Sequence, residues 1–359
     1  VTDVIILDIF NSLGMPTSTT VSLVFELLGG TFILAAIKIV GDPSLSFGDL
    51  LNTDKALSVI VAIFVSVAIA FVFGIVVQWL SRIVFTFNYR KHSRWSIAIF
   101  GGIAFTALSY FIFLKGMGKS RFIAEDTRMW IENNISALIV YTFIGSTIIM
   151  EVIHLLKVNV FKFIVLMGTF ALAMAFAGND LVNFIGVPLA GLDSYQDFVA
   201  NSNSVGATNY MMHSLNGSAK TPPLFLLAAG VIMIIAMATS KKARNVIKTS
   251  VDLSRQDEGD EMFGSSRVAR GVVRITQDSS SSLTQILPVG LRRWIDSRFN
   301  KQEAELNDGA AFDVVRAAIN LVLASMLITI GTSDELPRST THVTFMVAMG
   351  SSLADRAWS

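Results

Sequence analysis

Long apolar runs separated by polar connections dominate the chain. Eight such runs each contain at most one Asp, Glu, Lys or Arg residue. They cover residues 9–37, 56–80, 95–114, 135–156, 163–192, 221–240, 317–333 and 339–354. A membrane-spanning helix needs about 20 mostly apolar residues to cross the hydrocarbon layer, whereas a surface helix of a soluble protein is apolar on one face only. The pattern therefore predicts an all-α fold, a polytopic transmembrane helix bundle.

Composition agrees with a membrane protein and excludes several other classes. The sequence is 52% hydrophobic and 15% charged, with a mean hydropathy of +0.60, whereas soluble domains are nearer a quarter charged. The net charge of +1 offers no basic surface for nucleic acid. The absence of cysteine excludes disulfides and thiolate ligands. No catalytic residue set is predicted, so we do not expect an enzyme.

Basic residues in the short connections predict the orientation of the bundle. One cluster follows the second apolar run and another follows the sixth. The clusters comprise Arg82, Arg90, Lys91 and Arg94, and Lys241, Lys242, Arg244 and Lys248. Lys and Arg near span ends favour the cytoplasm, so both clusters are predicted to lie inside. The runs between them give an even number of crossings, which agrees with this assignment.

A long charged insertion separates the sixth and seventh apolar runs. Residues 241–316 hold 24 of the 55 Asp, Glu, Lys and Arg residues, and we predict that they form a cytoplasmic loop. Within it Leu291, Trp294, Ile295 and Phe299 recur at helical spacing, with arginines between them. Such a helix either lies on the inner membrane surface or packs on the rest of the loop.

A short motif occurs twice, once near each end of the sequence. Residues 16–20 read Pro-Thr-Ser-Thr-Thr, and residues 337–341 read Pro-Arg-Ser-Thr-Thr. Each motif precedes an apolar helix in which Gly29 aligns with Gly350. In the predicted orientation the first of these helices runs outward and the second inward. Inverted repeats with broken or re-entrant helices are typical of secondary transporters, whose substrate site lies near the bilayer midplane.

The two motifs supply hydrogen-bond donors that suit a small oxyanion. Proline ends the preceding helix, and serine or threonine caps the next one, whose first N–H groups and positive dipole end attract anions. The hydroxyls expected around the anion belong to Ser18, Thr19, Thr20, Ser339, Thr340 and Thr341. The alternative is a capped proline kink with no ligand, as membrane helices tolerate.

A polar segment interrupts the fifth apolar run. Residues 177–183 read Ala-Gly-Asn-Asp-Leu-Val-Asn, and a carboxylate inside a membrane is by default part of an ion or proton path. Asp180 together with Asn179 and Asn183 offers hard oxygen ligands that suit Na⁺. The alternative is that Asp180 pairs with a neighbouring helix in a structural role. Glu26 and His342 are weaker candidates, the first for ion coupling and the second for anion binding or titration.

These motifs resemble those of the PiT family of inorganic phosphate transporters, which are symporters coupled to Na⁺ or H⁺. The family pattern places Gly-Ala-Asn-Asp before Pro-x-Ser-Thr-Thr in each inverted half. Residues 178–183 and 339–342 match the second half, although Ala177 and Gly178 stand in the reverse order. Residues 18–20 match the first half, although Val21 stands where the family often has histidine. The missing Asn-Asp segment would lie upstream, so we expect an interior fragment that is inactive alone.

The resemblance also implies roles and an architecture. Asn179 and Asp180 would bind phosphate and cation, Asp180 and Asn183 would be Na⁺ ligands, and the two Ser-Thr-Thr sets would bind phosphate. The end of the first inverted repeat would occupy residues 1–40, and connecting transmembrane helices 41–157. The second repeat would begin in 158–240, continue through the loop 241–316 and end in 317–359.

The expected function is import of inorganic phosphate across the inner or plasma membrane by alternating access. A Na⁺ or H⁺ gradient would drive it, with no cofactor beyond the transported cation. The expected partners are phosphate, that cation and the lipid bilayer, with a homodimer as a candidate assembly. Hydroxyl donors equally suit sulfate or another tetrahedral oxyanion. Alternatives of other classes are a passive anion channel and a membrane sensor whose output is the loop 241–316.

Overall fold

The computed structural model describes most of the apolar runs and part of the polar connections. The described residues are 2–15, 17–88, 94–112, 124–202, 206, 210, 222–245, 271, 274, 288–300, 313–333 and 339–357. The prolines of the two motifs, Pro16 and Pro337, lie outside the described residues. So do the basic residues Arg90, Lys91 and Lys248 and most of the predicted loop.

All regular secondary structure in the described residues is helical. The helices are α1 (Thr2–Ser12), α2 (Thr19–Gly41), α3 (Phe47–Leu50), α4 (Thr53–Phe85), α5 (Arg94–Ser109), α6 (Glu125–Asn133), α7 (Ile135–Leu155), α8 (Val160–Phe176), α9 (Val182–Asn201), α10 (Pro223–Thr239), α11 (Val289–Arg298), α12 (Val314–Ser333) and α13 (Thr340–Ala354). A π-helical turn, Ala177–Leu181, joins α8 to α9. The predicted all-α fold is confirmed.

Six helical stretches of the described chain are long and apolar enough to cross a membrane. They are Thr19–Gly41, Thr53–Phe85, Trp95–Ile112, Ile135–Leu155, Val160–Asn201 and Val314–Thr332. These stretches confirm a multi-pass membrane protein. Two predicted runs form shorter helices, α10 with 17 residues and α13 with 15. The first predicted run is divided, because α1 ends at Ser12 and α2 begins at Thr19.

The chain forms two compact units. The first comprises Val1–Val65, Ala173–Thr249 and Gly331–His342. The second comprises Ser66–Leu172, Ser250–Ile330 and Val343–Ser359. In the first unit, the ammonium of Lys242 contacts the carboxylate of Asp8 at 2.5 Å. This ion pair joins α1 to the segment that follows α10.

An aromatic cluster forms the core of the second unit. The rings of Phe85, Phe100 and Phe161 lie 5.1 to 5.4 Å apart, centre to centre. They come from the end of α4, from α5 and from α8. Phe85 meets each of the other two rings edge to face, and such pairs stabilise a core beyond the area they bury. The same helices place Ala98 and Ile164 in the buried cluster.

Glycines allow two helices of the second unit to approach closely. A Cβ atom added at Gly74 of α4 would lie 2.6 Å from the carbonyl oxygen of Val347, and one added at Gly350 of α13 would lie 2.3 Å from that of Phe71. Small residues at membrane helix contacts allow such close packing. The aligned Gly29 differs, because a Cβ atom there would meet no described atom within 4 Å.

A buried charge cluster ties three helix ends together in the second unit. The guanidinium of Arg82 donates to Asp355 from Nε at 2.9 Å and to Asp313 from Nη2 at 3.0 Å, and Gln78 donates to Asp355 at 2.8 Å. Arg316 lies 3.9 Å from Asp355. The side chains of Arg82, Arg316 and Asp355 have no solvent exposure.

This cluster changes how two parts of the sequence are interpreted. Arg82 is a buried ion-pair partner rather than a solvated flanking charge. Residues 314–316 belong to α12 rather than to the loop, because α12 begins at Val314. The cluster brings the end of α4, the start of α12 and the end of α13 to one side, as the predicted orientation requires.

Candidate functional site

The serines of the two motifs cap their helices in the same way. Ser18 precedes α2 in an extended conformation, and its hydroxyl accepts a hydrogen bond from the N–H of Val21 at 3.2 Å. Ser339 precedes α13, and its hydroxyl accepts from the N–H of His342 at 3.1 Å. Both serines are buried. Each cap satisfies one of the N–H groups that a helix start leaves without an intrahelical partner.

Asp180 lies in the π-helical turn between α8 and α9. A π turn widens the helix by one residue and is frequent at functional sites. Asn179 is buried beside it, while Asp180 and Asn183 are half-buried. The polar segment predicted from the sequence is thus a distorted turn inside a long apolar stretch.

Threonine hydroxyls from both motifs donate to the carboxylate of Asp180. The hydroxyl of Thr20 lies 3.1 Å from Oδ1. The hydroxyl of Thr340 lies 3.0 Å from Oδ1 and 2.9 Å from Oδ2. Thr20 and Thr340 are each only 1% exposed. The first turns of α2 and α13 therefore meet at one carboxylate within the first unit.

The two asparagines complete this polar cluster. Asn179 donates from Nδ2 to the hydroxyl of Thr20 at 3.2 Å and to Oδ1 of Asp180 at 3.1 Å. Asn183 donates from Nδ2 to the same hydroxyl at 3.1 Å. Thr20 thus accepts from two amides while it donates to Asp180. The structure brings together all three residues predicted to bind the cation.

The remaining motif threonines lie beside this cluster. Thr19 and Thr341 are half-buried in the first turns of α2 and α13. The buried hydroxyl of Thr19 also lies beside the Asp180 carboxylate, although it meets no strict hydrogen-bond geometry there. The direct hydrogen bonds to Asp180 come from the second threonine of the first motif, Thr20, and from the first threonine of the second motif, Thr340.

Comparison with known proteins identifies the family of the chain. A profile described as the phosphate transporter family matches residues 1–250, more than half of the 359 residues. The chain belongs to the phosphate transporter family. No curated protein and no solved structure matches it. The matched range includes Thr20 and residues 179–183, whereas residues 339–341 lie beyond it.

The sequence of this phosphate transporter did not point to a further buried carboxylate near the cluster. Asp3 in the first turn of α1 is buried, and its Oδ1 accepts a hydrogen bond from the hydroxyl of Ser22. Ser22 follows Thr20 by two residues, so Asp3 fixes α1 against the first turns of α2. The signal available in the sequence was a single acidic residue at the border of an apolar run.

The two weaker candidates occupy different surroundings. Glu26 is exposed on α2, about 9 Å along the helix from Thr20, because a helix rises 1.5 Å per residue. His342 is in the first turn of α13, where its backbone N–H completes the Ser339 cap. Neither residue has a described contact with Asp180.

The chemistry of the cluster suits small hard ions. Within the described residues no group of three or more His, Cys, Asp and Glu side chains lies together. The cluster instead combines one carboxylate with amides and hydroxyls, the oxygen donors that suit hard cations. Two capped helix starts beside it provide N–H groups and the positive end of a dipole for an anion.

Proposed function

We propose that this phosphate transporter is a symporter that imports inorganic phosphate together with Na⁺ or H⁺ by alternating access. The observation that carries the proposal is the Asp180 carboxylate in a membrane stretch, bonded by Thr20 and Thr340 from two separate helix starts. A carboxylate in that position is costly unless it is paired or takes part in ion movement. The phosphate is expected at the same helix starts.

Electrostatics gives a reason for coupling. An ionised Asp180 repels an approaching phosphate, since two like charges at short distance in a medium of low polarity disfavour each other strongly. A Na⁺ ion held by Asp180, Asn179 and Asn183, or a proton on Asp180, removes that repulsion. Binding of cation and anion then becomes mutually dependent, which is the thermodynamic basis of symport.

The geometry of the cluster supports the residue roles that we propose. Thr20 and Thr340 connect the cation ligands to the two helix starts. Each is therefore expected to affect the binding of both the cation and phosphate. Ser18, Thr19, Ser339 and Thr341 are the remaining donors expected around phosphate.

The carboxylate favours phosphate over sulfate. A protonated phosphate donates a hydrogen bond to a carboxylate, whereas fully ionised sulfate has no proton to donate. Fully ionised sulfate would meet the negative carboxylate with no proton between them, and like charges in a medium of low polarity disfavour each other. Excess sulfate is therefore expected to compete poorly with phosphate.

The test is uptake of radiolabelled phosphate by the full-length protein in proteoliposomes. An inward Na⁺ gradient, an inward proton gradient and no gradient are compared, and Asp180→Asn is measured beside the parent. We expect one gradient to drive uptake and the Asp180→Asn substitution to abolish that gradient-driven part. Glu26→Gln is the matched control, because it also neutralises a carboxylate in a membrane span and should keep most of the uptake.

Each other outcome points to a stated alternative. A passive anion channel is favoured if phosphate flux depends on neither the Na⁺ nor the proton gradient and persists in the Asp180→Asn variant. Sulfate flux in place of phosphate flux overturns the substrate. Absence of any flux, with a binding partner captured by the loop 241–316, favours the sensor.

A further inference from the structure

One face of α11 is fixed against the end of α13 in the second unit. Ile295 and Phe299 are buried. The carboxylate of Asp296 pairs with the guanidinium of Arg356 at 3.1 Å, and the same guanidinium lies 5.3 Å from the centre of the Phe299 ring. The helix predicted in the loop is therefore present and anchored.

This anchor fixes the level of α11 relative to the membrane spans. Arg356 directly follows Asp355, which bonds Arg82 near the end of α4. Arg82 in turn bonds Asp313, the residue before α12. Because the spans of α4 and α12 end at this cluster, α11 lies where the hydrocarbon layer gives way to headgroups.

A second face of α11 is left uncovered by the described residues. Leu291 and Trp294 are 43% and 47% exposed, and a spacing of three residues places them side by side. Arg292 and Arg293 are exposed next to them. The guanidinium of Arg298 lies 5.3 Å from the centre of the Trp294 ring.

This face of α11 carries a net positive charge. Residues 289–298 contain three arginines and one aspartate, and the aspartate, Asp296, is paired with Arg356. Tryptophan is favoured at the headgroup level, where its ring is buried and its N–H stays hydrated. Arginine binds phosphate groups through its planar donor fork, and basic side chains near a membrane surface are attracted to anionic lipids.

We propose that the Leu291–Trp294 face of α11 binds the anionic headgroup surface of the bilayer, on the side where α4 and α13 end. The occupant is lipid rather than a second protein because the helix is already held at headgroup level and its uncovered charge is positive. The proposal is independent of which ion drives transport.

The absence of native cysteine allows a clean test. Single cysteines are introduced one at a time from Val289 to Arg298 in the full chain, spin-labelled and reconstituted into vesicles. Accessibility to oxygen, which enters lipid, is compared with accessibility to a water-soluble nickel chelate. Vesicles that contain anionic phosphatidylglycerol are compared with vesicles of pure phosphatidylcholine.

We expect Leu291→Cys and Trp294→Cys labels to be open to oxygen and protected from the nickel chelate in anionic vesicles. The protection should be lost in phosphatidylcholine and in the Arg292→Gln/Arg293→Gln background. Arg292→Lys/Arg293→Lys is the matched control, because it retains both charges and should retain protection. A Ser297→Cys label reports whether the helix itself persists in each background.

Three results overturn the proposal. Labels at 291 and 294 that are open to the nickel chelate in anionic vesicles indicate a solvated helix. Labels that are closed to both reagents indicate a covering protein segment. Protection that does not depend on lipid charge removes the anionic surface as the ligand.

Discussion

At the scale of single residues, Asp180 receives two threonine hydroxyls that lie 160 positions away in either direction. Hydrogen bonds to a charged group contribute more than neutral ones. Removing one donor is therefore expected to change the affinity of the cluster for its cation more than it changes the fold. Thr340 is the more informative position, because its hydroxyl reaches both carboxylate oxygens.

Thr340→Val is expected to raise the cation concentration needed for half-maximal uptake. Loss of a hydrogen bond to a charged group costs about 1.5–3 kcal/mol, which corresponds to roughly 10- to 100-fold weaker cation activation. The measurement is phosphate uptake as a function of cation concentration. Thr340→Ser keeps the hydroxyl and should behave nearly as the parent. Equal activation in the valine variant and the parent would exclude a role for this hydroxyl.

At the scale of elements, the same local rules produce helices with different surroundings. Both motif helices begin with a serine cap that bonds the third N–H of the helix. Beyond the cap they differ, since Gly350 packs on the backbone of α4 and Gly29 meets no described atom. The repeated motif thus determines how each helix begins, whereas the later residues of the two helices pack differently.

Gly350→Ala is expected to destabilise the protein by about 1–3 kcal/mol, the usual cost of overpacking a tight contact. The added Cβ would lie 2.3 Å from a backbone carbonyl oxygen, which cannot move aside as a side chain can. Gly29→Ala is the matched control and should be neutral or stabilising, since alanine favours helix by about 1 kcal/mol. Thermal unfolding in detergent measures both. Equal effects of the two substitutions would contradict the close α4–α13 crossing.

At the scale of the whole molecule, buried charges hold the ends of α4, α12 and α13 together. Arg82 and Asp355 are both shielded from solvent, so neither can replace a lost partner with water. Breaking such a pair from one side leaves an uncompensated buried charge. The adjacent pair of Arg356 with Asp296 is about half exposed on each side, and water can replace it.

Asp355→Asn is expected to lower the free energy of unfolding by about 3–5 kcal/mol. Arg356→Gln, one residue further on, should lower it by at most about 1 kcal/mol, because exposed ion pairs contribute little. Chemical unfolding of the two variants and the parent in the same detergent compares them directly. A small effect of Asp355→Asn would show that Asp313 by itself compensates the buried arginines.

The sequence by itself determined the membrane-spanning character, the helical class and the places where helices begin. These properties depend on short stretches of chain. A bilayer demands about 20 apolar residues per span and internal backbone hydrogen bonds, and a serine cap needs only the next three residues. The candidate cluster was predictable to the same extent, since Asp180 stood out as a carboxylate in an apolar run.

Only the tertiary structure decided which distant residues meet. Thr20 and Thr340 come from opposite ends of the chain and both donate to Asp180, because contact depends on how the helices are placed and rotated in the fold. The sequence predicts that Arg82 is a solvated charge at the end of a span and that Arg316 belongs to the loop. Both are instead buried beside Asp355. Charge type and spacing along a chain cannot distinguish a solvated arginine from a buried one, because the partner is distant in sequence. Asp355 lies 273 positions from Arg82 and beyond the next helix from Arg316.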